Sequence, residues 1–132
     1  MSGKPCTITL AFTLLGIIMF SPACKKVSME TNLTGTWTVS KYFKNGVDST
    51  ANFNMRFFDY AITFFDDHDF AESYKSLGVL PINNTGSWEL TTKLSELKLV
   101  TATETRVYTI NNLTASELDM ENSEERFLMS PK

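Results

Sequence analysis

Apolar residues follow two patterns along this chain. From Ile8 to Phe20 they form one run of thirteen residues, ITLAFTLLGIIMF, that carries no charge. From Leu33 onward they alternate with polar residues in short segments broken by turn formers. A continuous apolar run can enter a bilayer as a helix, because a helix satisfies its own backbone polar groups. Alternation with a period of two marks strands with one buried face. It predicts eight strands: Thr36–Phe43, Tyr60–Phe65, Phe70–Lys75, Gly86–Leu90, Glu96–Thr101, Thr105–Asn111, Glu117–Glu121 and Arg126–Ser130. Trp37, Val39 and Phe43 fall on one face of the first strand, with Thr38, Ser40 and Tyr42 on the other. Gly78–Asn84, which contains Pro81, reads as a loop.

Short links between consecutive strands favour an antiparallel meander, and eight strands are enough to close one into a barrel. The predicted class is therefore all-β, an eight-stranded antiparallel up-and-down barrel. One link is long, Lys44–Asp59. Asn45-Gly46 suits a tight turn because both residues tolerate positive φ. Beyond it, Phe53 and Phe57 are four residues apart, as in a helical turn. The same residues also suit an extra strand. In either form the aromatic residues of this link are expected to cover one mouth of the barrel.

The apolar run follows Lys4 and precedes Ser21-Pro22-Ala23-Cys24. A positive start, an apolar core and a small residue before a cut define an export signal. Pro22 is expected to leave the following segment extended. Ala23 directly before Cys24 resembles the lipobox of bacterial lipoproteins, with Ser21 where Leu is common. That resemblance implies cleavage after Ala23, a diacylglycerol on the Cys24 thiol and acylation of the new N-terminus. Two other outcomes stay open. Pro5–Ala23 is a charge-free stretch of nineteen residues, close to the roughly 20 a spanning helix needs. Simple secretion with a free Cys24 is the third outcome.

The expected organisation is thus a signal at 1–23, a lipidated polar tether at 24–32 and a barrel domain at 33–132. Cleavage after residue 23 of 132 would leave 109 residues, a single-domain length. The chain has two cysteines, and removal of Cys6 with the signal would leave Cys24 with no disulfide partner. Lipid attachment gives such a residue a role in an exported protein. Loss of Lys4 would leave eleven basic against fifteen acidic residues, a net charge of −4. With no basic run beyond Lys25-Lys26, nucleic acid is not an expected partner. Lys25 is not the Asp associated with inner-membrane retention, so the outer membrane is expected. Glu30 is the first acidic residue after Cys24, which favours the periplasmic face over surface display.

Gly35-Thr36-Trp37, opening the first strand, resembles the Gly-x-Trp signature of lipocalins. Ile62-Thr63-Phe64 before a polar turn, Gly86-Ser87-Trp88-Glu89-Leu90, and Tyr108-Thr109-Ile110 with Leu113-Thr114 resemble the lipocalin-like domains of Gram-negative lipoproteins. The resemblance covers Leu33 to Met129. It implies that Trp37 packs across the closed end, that the long link lies at the entrance, and that the barrel binds a small hydrophobic ligand without catalysis. A filled barrel that contacts another envelope protein is the alternative.

Trp37, Phe43, Phe64, Trp88 and Tyr108 are the candidates to line a cavity, or else to fill the core. Asp66-Asp67-His68-Asp69 carries metal-ligating side chains, but four adjacent residues cannot all face one ion. It is read as a solvated turn, and no metal or cofactor is expected. His68 is the single histidine. Glu72 and Glu89 are conceivable as an acid and base, although nothing in their spacing selects them. Asp48-Ser49-Thr50 is similar to sites that some Gram-negative anaerobes O-glycosylate, with Ser49 as the acceptor.

Overall fold

The computed structural model describes residues 22–91, 93 and 95–132. The apolar run and Lys4 lie outside the described residues. The elements in order are α1 (Pro22–Leu33), β1 (Gly35–Lys44), β2 (Val47–Asp48), α2 (Thr50–Arg56), β3 (Phe57–Phe64), β4 (Asp69–Ser76), β5 (Leu80–Leu90), β6 (Glu96–Val100), β7 (Thr105–Leu113), β8 (Leu118–Glu121) and β9 (Glu125–Pro131). Each strand pairs antiparallel with the next around the ring, and β9 returns to β1 from Pro131↔Trp37 to Glu125↔Lys44. That last pairing closes an eight-stranded barrel. β2 is a two-residue appendage on the end of β1. Closure leaves few unpaired edges, which is how a small all-β chain avoids edge-to-edge association.

The chain from Pro22 to Leu33 is not extended, as Pro22 predicts, but a helix. Pro22 stands at its first residue, where a fixed φ is already suitable and the missing N–H would have had no partner. The helix is held to the barrel by its last turn. Leu33 is fully buried, and Met29, one turn earlier, packs against the same core.

Gly35 then reverses the chain with φ +133°, a conformation that residues with a Cβ rarely adopt. Two residues on, the Trp37 indole donates from Nε1 to the Leu33 carbonyl at 2.8 Å. Helix C-termini leave such carbonyls without partners. Trp37 therefore plugs the closed end and caps α1 at once.

Of its two expected forms the long link takes the helical one. The Asn45-Gly46 turn leads into the two-residue β2, α2 follows and carries Phe53, and Phe57 already opens β3. Phe53 is the buried residue of α2. Its ring lies 4.8 Å from that of Phe57 and 4.8 Å from that of Tyr42. β1 and β3 pair only over Gly35–Trp37 and Ile62–Phe64. Above that level they part, and α2 fills the opening.

β5 begins earlier than expected, at Leu80, so Gly78–Asn84 is largely strand rather than loop. Pro81 is tolerated because this half of β5 pairs with β4 alone, while β6 joins β5 only from Ser87. A proline lacking its N–H can sit on such an edge.

A second difference concerns Phe43. The β1–β9 register shifts between Val39 and Lys41, and an extra residue in one strand reverses which side chains face inward. Tyr42, not Phe43, is therefore buried in the barrel. Phe43 lies outside, with the Arg126 guanidinium 5.9 Å from its ring centre.

Candidate functional site

The inward-facing residues form two unlike layers. At the closed end are Leu33, Trp37, Phe64, Trp88, Leu97, Leu118 and Met129, each 2% exposed or less. Polar atoms in this layer are few and already bonded: the Trp88 indole donates to the Phe65 carbonyl at 3.0 Å. His68 covers the Trp88 ring from outside, stacked at 4.5 Å, and its Nε2 lies 3.4 Å from a Glu30 carboxylate oxygen on α1.

At the open end, beneath α2, is a cavity of about 240 Å³. Phe53, Phe57, Tyr60, Tyr74, Tyr108 and Phe127 give it aromatic walls, and Ile62, Leu99 and Met120 line its depth. Glu72, Asn84 and Arg106 supply polarity, with Glu104 and Glu125 completing the lining. Strand alternation places these residues. Glu72 shares the inward face of β4 with Phe70 and Tyr74, and Arg106 shares that of β7 with Tyr108 and Ile110.

Glu72 is the centre of the polar wall. Its carboxylate accepts from the Tyr60 hydroxyl at 2.5 Å, from Asn84 Nδ2 at 3.1 Å, and from Arg106 Nη1 and Nη2 at 3.3 and 3.4 Å. Burial opposes its charge, but Arg106, Tyr60 and Asn84 outweigh burial and hold the carboxyl below its usual range. Burial likewise opposes the Arg106 charge, and Glu72 more than restores it. Tyr60 is pushed far up by burial and then by the Glu72 charge. Burial also raises the hydroxyl of Tyr108, and that of Tyr42, which donates to Glu125 at 2.8 Å. At neutral pH Glu72 is thus a carboxylate paired with the Arg106 guanidinium, and the Tyr60 and Tyr108 phenols beside them are neutral. The Phe70 ring lies 6.0 Å from the guanidinium carbon.

Of the five aromatic residues expected around a cavity, Tyr108 lines it. Trp37 and Phe64 belong to the packed closed end, as does Trp88, whose ring meets Phe64 edge-on at 6.0 Å. Phe43 is outside, for the reason given above. Glu72 and Glu89 do not share a site: Glu72 is buried in the barrel, while the Glu89 side chain is 61% exposed, beside Lys98. Asp66–Asp69 forms the turn between β3 and β4, where Asp67 accepts from the Asp69 backbone N–H at 3.0 Å. Among the described residues, no group of three or more His, Cys, Asp or Glu is arranged to hold a metal ion. Ser49 immediately precedes α2, with its hydroxyl donating to the Val47 carbonyl at 3.1 Å. Cys24 is a free, half-buried cysteine in the first turn of α1.

A signal for the polar wall was present in the alternation. Phe70-x-Glu72-x-Tyr74 and Arg106-x-Tyr108-x-Ile110 each put a charge on an otherwise apolar face. Opposite charges in such positions on separate strands point to a buried pair.

Two solved structures share this architecture. A lipocalin-like protein from Bacteroides uniformis superposes with a TM-score of 0.63 at 13% identity, over 76% of this chain and 99% of its own. An uncharacterized protein from Bacteroides eggerthii gives a TM-score of 0.60 at 10% identity, with the same coverage of 76% and 99%. At these identities the likeness is one of fold. No curated protein matches the sequence. The profile of the lipocalin-like domain matches residues 33–120, from the closing turn of α1 to the next-to-last strand, and the chain belongs to the lipocalin-like domain family.

Proposed function

We propose that this protein is an envelope lipoprotein whose barrel binds a small molecule in the open-end cavity. The observation that supports binding is the cavity itself: about 240 Å³, with six aromatic residues and one hydrogen-bonded charge pair around it. Small-molecule sites combine apolar walls with a few placed polar groups in this way, commonly at the mouth of a barrel. The volume is a little below the roughly 300 Å³ at which typical ligand pockets begin, so the ligand is compact. The polar wall shifts the expectation away from a purely hydrophobic ligand.

The anchor rests on Ala23-Cys24 and the apolar run before them. Among the described residues no helix is long and apolar enough to cross a membrane, and acyl chains on Cys24 would supply the attachment. Cys24 lies nine residues before Leu33, about 14 Å along a helix. An outer-membrane anchor there would hold the closed end toward the lipid and turn the cavity toward the periplasm.

Mass spectrometry of protein extracted from membranes tests the anchor. Acylated Cys24 at the new N-terminus is expected, whereas an unmodified Cys24 or an intact Met1 overturns it. A thermal-shift screen against several hundred small molecules tests binding separately. At least one compact compound is expected to raise the melting temperature, and a flat response across the set contradicts the binding reading.

One feature favours contact with another envelope protein as a second reading. Val47, Met55, Phe58, Leu77, Val79 and Leu80 are large apolar residues, all at least half exposed, on the turns and strand ends that rim the open end. Pulldown of one stoichiometric partner, lost on changing Leu77 and Val79 to Ser, would support it.

A further inference from the structure

We infer that the cavity selects a compact, uncharged, ring-bearing molecule that presents a hydrogen-bond acceptor to Arg106, in preference to a fatty acyl chain. This deepens the binding reading above and rests on it.

Size comes first. The cavity of about 240 Å³ lies below the roughly 300 Å³ at which ligand pockets for drug-sized molecules begin. A sixteen-carbon chain is longer than such a pocket is deep. A single substituted ring fits.

Shape comes second. The Phe53 ring meets Tyr60 edge-on at 5.4 Å and Phe127 edge-on at 5.9 Å, while Tyr60 stacks with Tyr74 at 6.3 Å. Flat faces in several orientations reward a planar guest through offset and edge contacts that a flexible chain cannot match.

Hydrogen-bonding capacity gives the guest its polarity. A carboxylate offers about four acceptor sites, and Glu72 already receives four bonds. An arginine has five N–H donors, and Arg106 spends two of them on Glu72. Its Nε has no hydrogen-bond partner among the described residues; Glu104 is 3.4 Å away without bonding geometry. Glu72 is therefore saturated as an acceptor, while Arg106 keeps N–H donors unused, one on each Nη as well as Nε. A carbonyl or ring nitrogen matches it, and a donor-only group does not.

Charge excludes an anion. Glu72 and Arg106 cancel, and the remaining charged lining residues are acidic but already paired, Glu104 with Arg106 Nε at 3.4 Å and Glu125 with Lys44 Nζ at 3.7 Å. A carboxylate entering past them finds no unpaired cation, and an ammonium finds no unpaired carboxylate.

Calorimetry of the purified protein at neutral pH with acetophenone, benzoate, benzylamine and hexadecanoate tests this selection. Acetophenone is expected to bind about tenfold or more tighter than benzoate or benzylamine, a gap of about 1.4 kcal/mol. Hexadecanoate is expected to give no saturable heat. The Arg106 Nε–H resonance should shift with acetophenone and not with hexadecanoate. In Glu72→Gln, which frees the Arg106 charge, benzoate should tighten by about tenfold or more. Saturable binding of hexadecanoate, or benzylamine as the tightest probe, overturns the inference while leaving the binding reading intact. Acetophenone bound without any shift at Arg106 also overturns it. A protein to which none of the four probes binds also overturns the inference, while the thermal-shift screen decides the binding reading separately.

Discussion

The closed and open ends of this barrel are made by the same eight strands with the same alternation, yet their interiors differ in kind. At the closed end Trp37, Phe64 and Trp88 are 2% exposed or less, and both indole N–H groups donate to backbone carbonyls. At the open end the inward positions carry Tyr42, Tyr60, Glu72, Arg106 and Tyr108, and a cavity remains between them. The closed end holds the fold. Hydrogen bonds and a charge pair keep the open end from collapsing into its own cavity. Buried polar groups are costly unless satisfied, so a wall like that of Glu72 persists where its partners are fixed by several strands at once. Here those strands are β3, β4, β5 and β7.

If this division is right, truncation should cost more below than above. Phe64→Ala, in the packed layer, is expected to lose about 4 kcal/mol in urea unfolding, within the range for buried aromatics. Phe53→Ala, beside an existing cavity, should lose less, about 2 kcal/mol. Equal losses would break the comparison.

Arg106→Leu should cost about 3 kcal/mol, because it strands the Glu72 carboxylate. Adding Glu72→Leu to that variant should recover most of the loss, since removing both partners leaves no orphaned charge. Absence of recovery in the double variant would mean that Arg106 supports the wall by packing alone.

Trp37→Phe keeps an aromatic plug but leaves the Leu33 carbonyl buried without its donor, at about 1–2 kcal/mol. Its sharper readout is hydrogen exchange in α1, which should accelerate more than exchange in β4 and β5. The same exchange profile in the variant and the parent would dissociate α1 from the closed end.

The open end should also govern the pH limits of stability. Glu72 titrates below its usual range when folded. Its contribution is present above the unfolded carboxyl value of about 4.3 and is lost as the pH falls through the lower folded one. Tyr42, Tyr60 and Tyr108 titrate above their usual range. Their contribution is complete below the unfolded value of about 10 and is lost as the pH rises toward the folded ones. Tyrosinate absorbance and circular dichroism followed together should show these three rings ionising along with alkaline unfolding rather than before it. The smallest effect is expected on the rim, where Leu77→Ser should stay within about 0.5 kcal/mol.

The closed end was more legible in the sequence than the open one, for a physical reason. Period-two alternation identified the strands, and Gly35-Thr36-Trp37 marked the closing turn, because a reversed backbone and a large plug each demand a particular residue type. Gly86 is similar: a Cβ there would lie 2.0 Å from the Val100 carbonyl oxygen. The polar wall depends on which residues meet across the barrel, and strand patterns do not encode that directly. Glu72 and Arg106 are thirty-four positions apart. Alternation alone places Phe43 inside, because a one-residue bulge leaves no trace in an alternating pattern. The helix α1 went unforeseen because only Met29 and Leu33 give it an apolar face, and its stability comes from docking.

Backbone and side-chain N–H spectra during a titration with acetophenone test whether binding belongs to the open end alone. Both tryptophans lie at the closed end, so their indole N–H resonances serve as internal controls. Saturable shifts are expected at Phe53, Tyr60, Arg106 and Tyr108, with the Trp37 and Trp88 indole signals unmoved. Shifts led by the two indoles, with Arg106 silent, would contradict it.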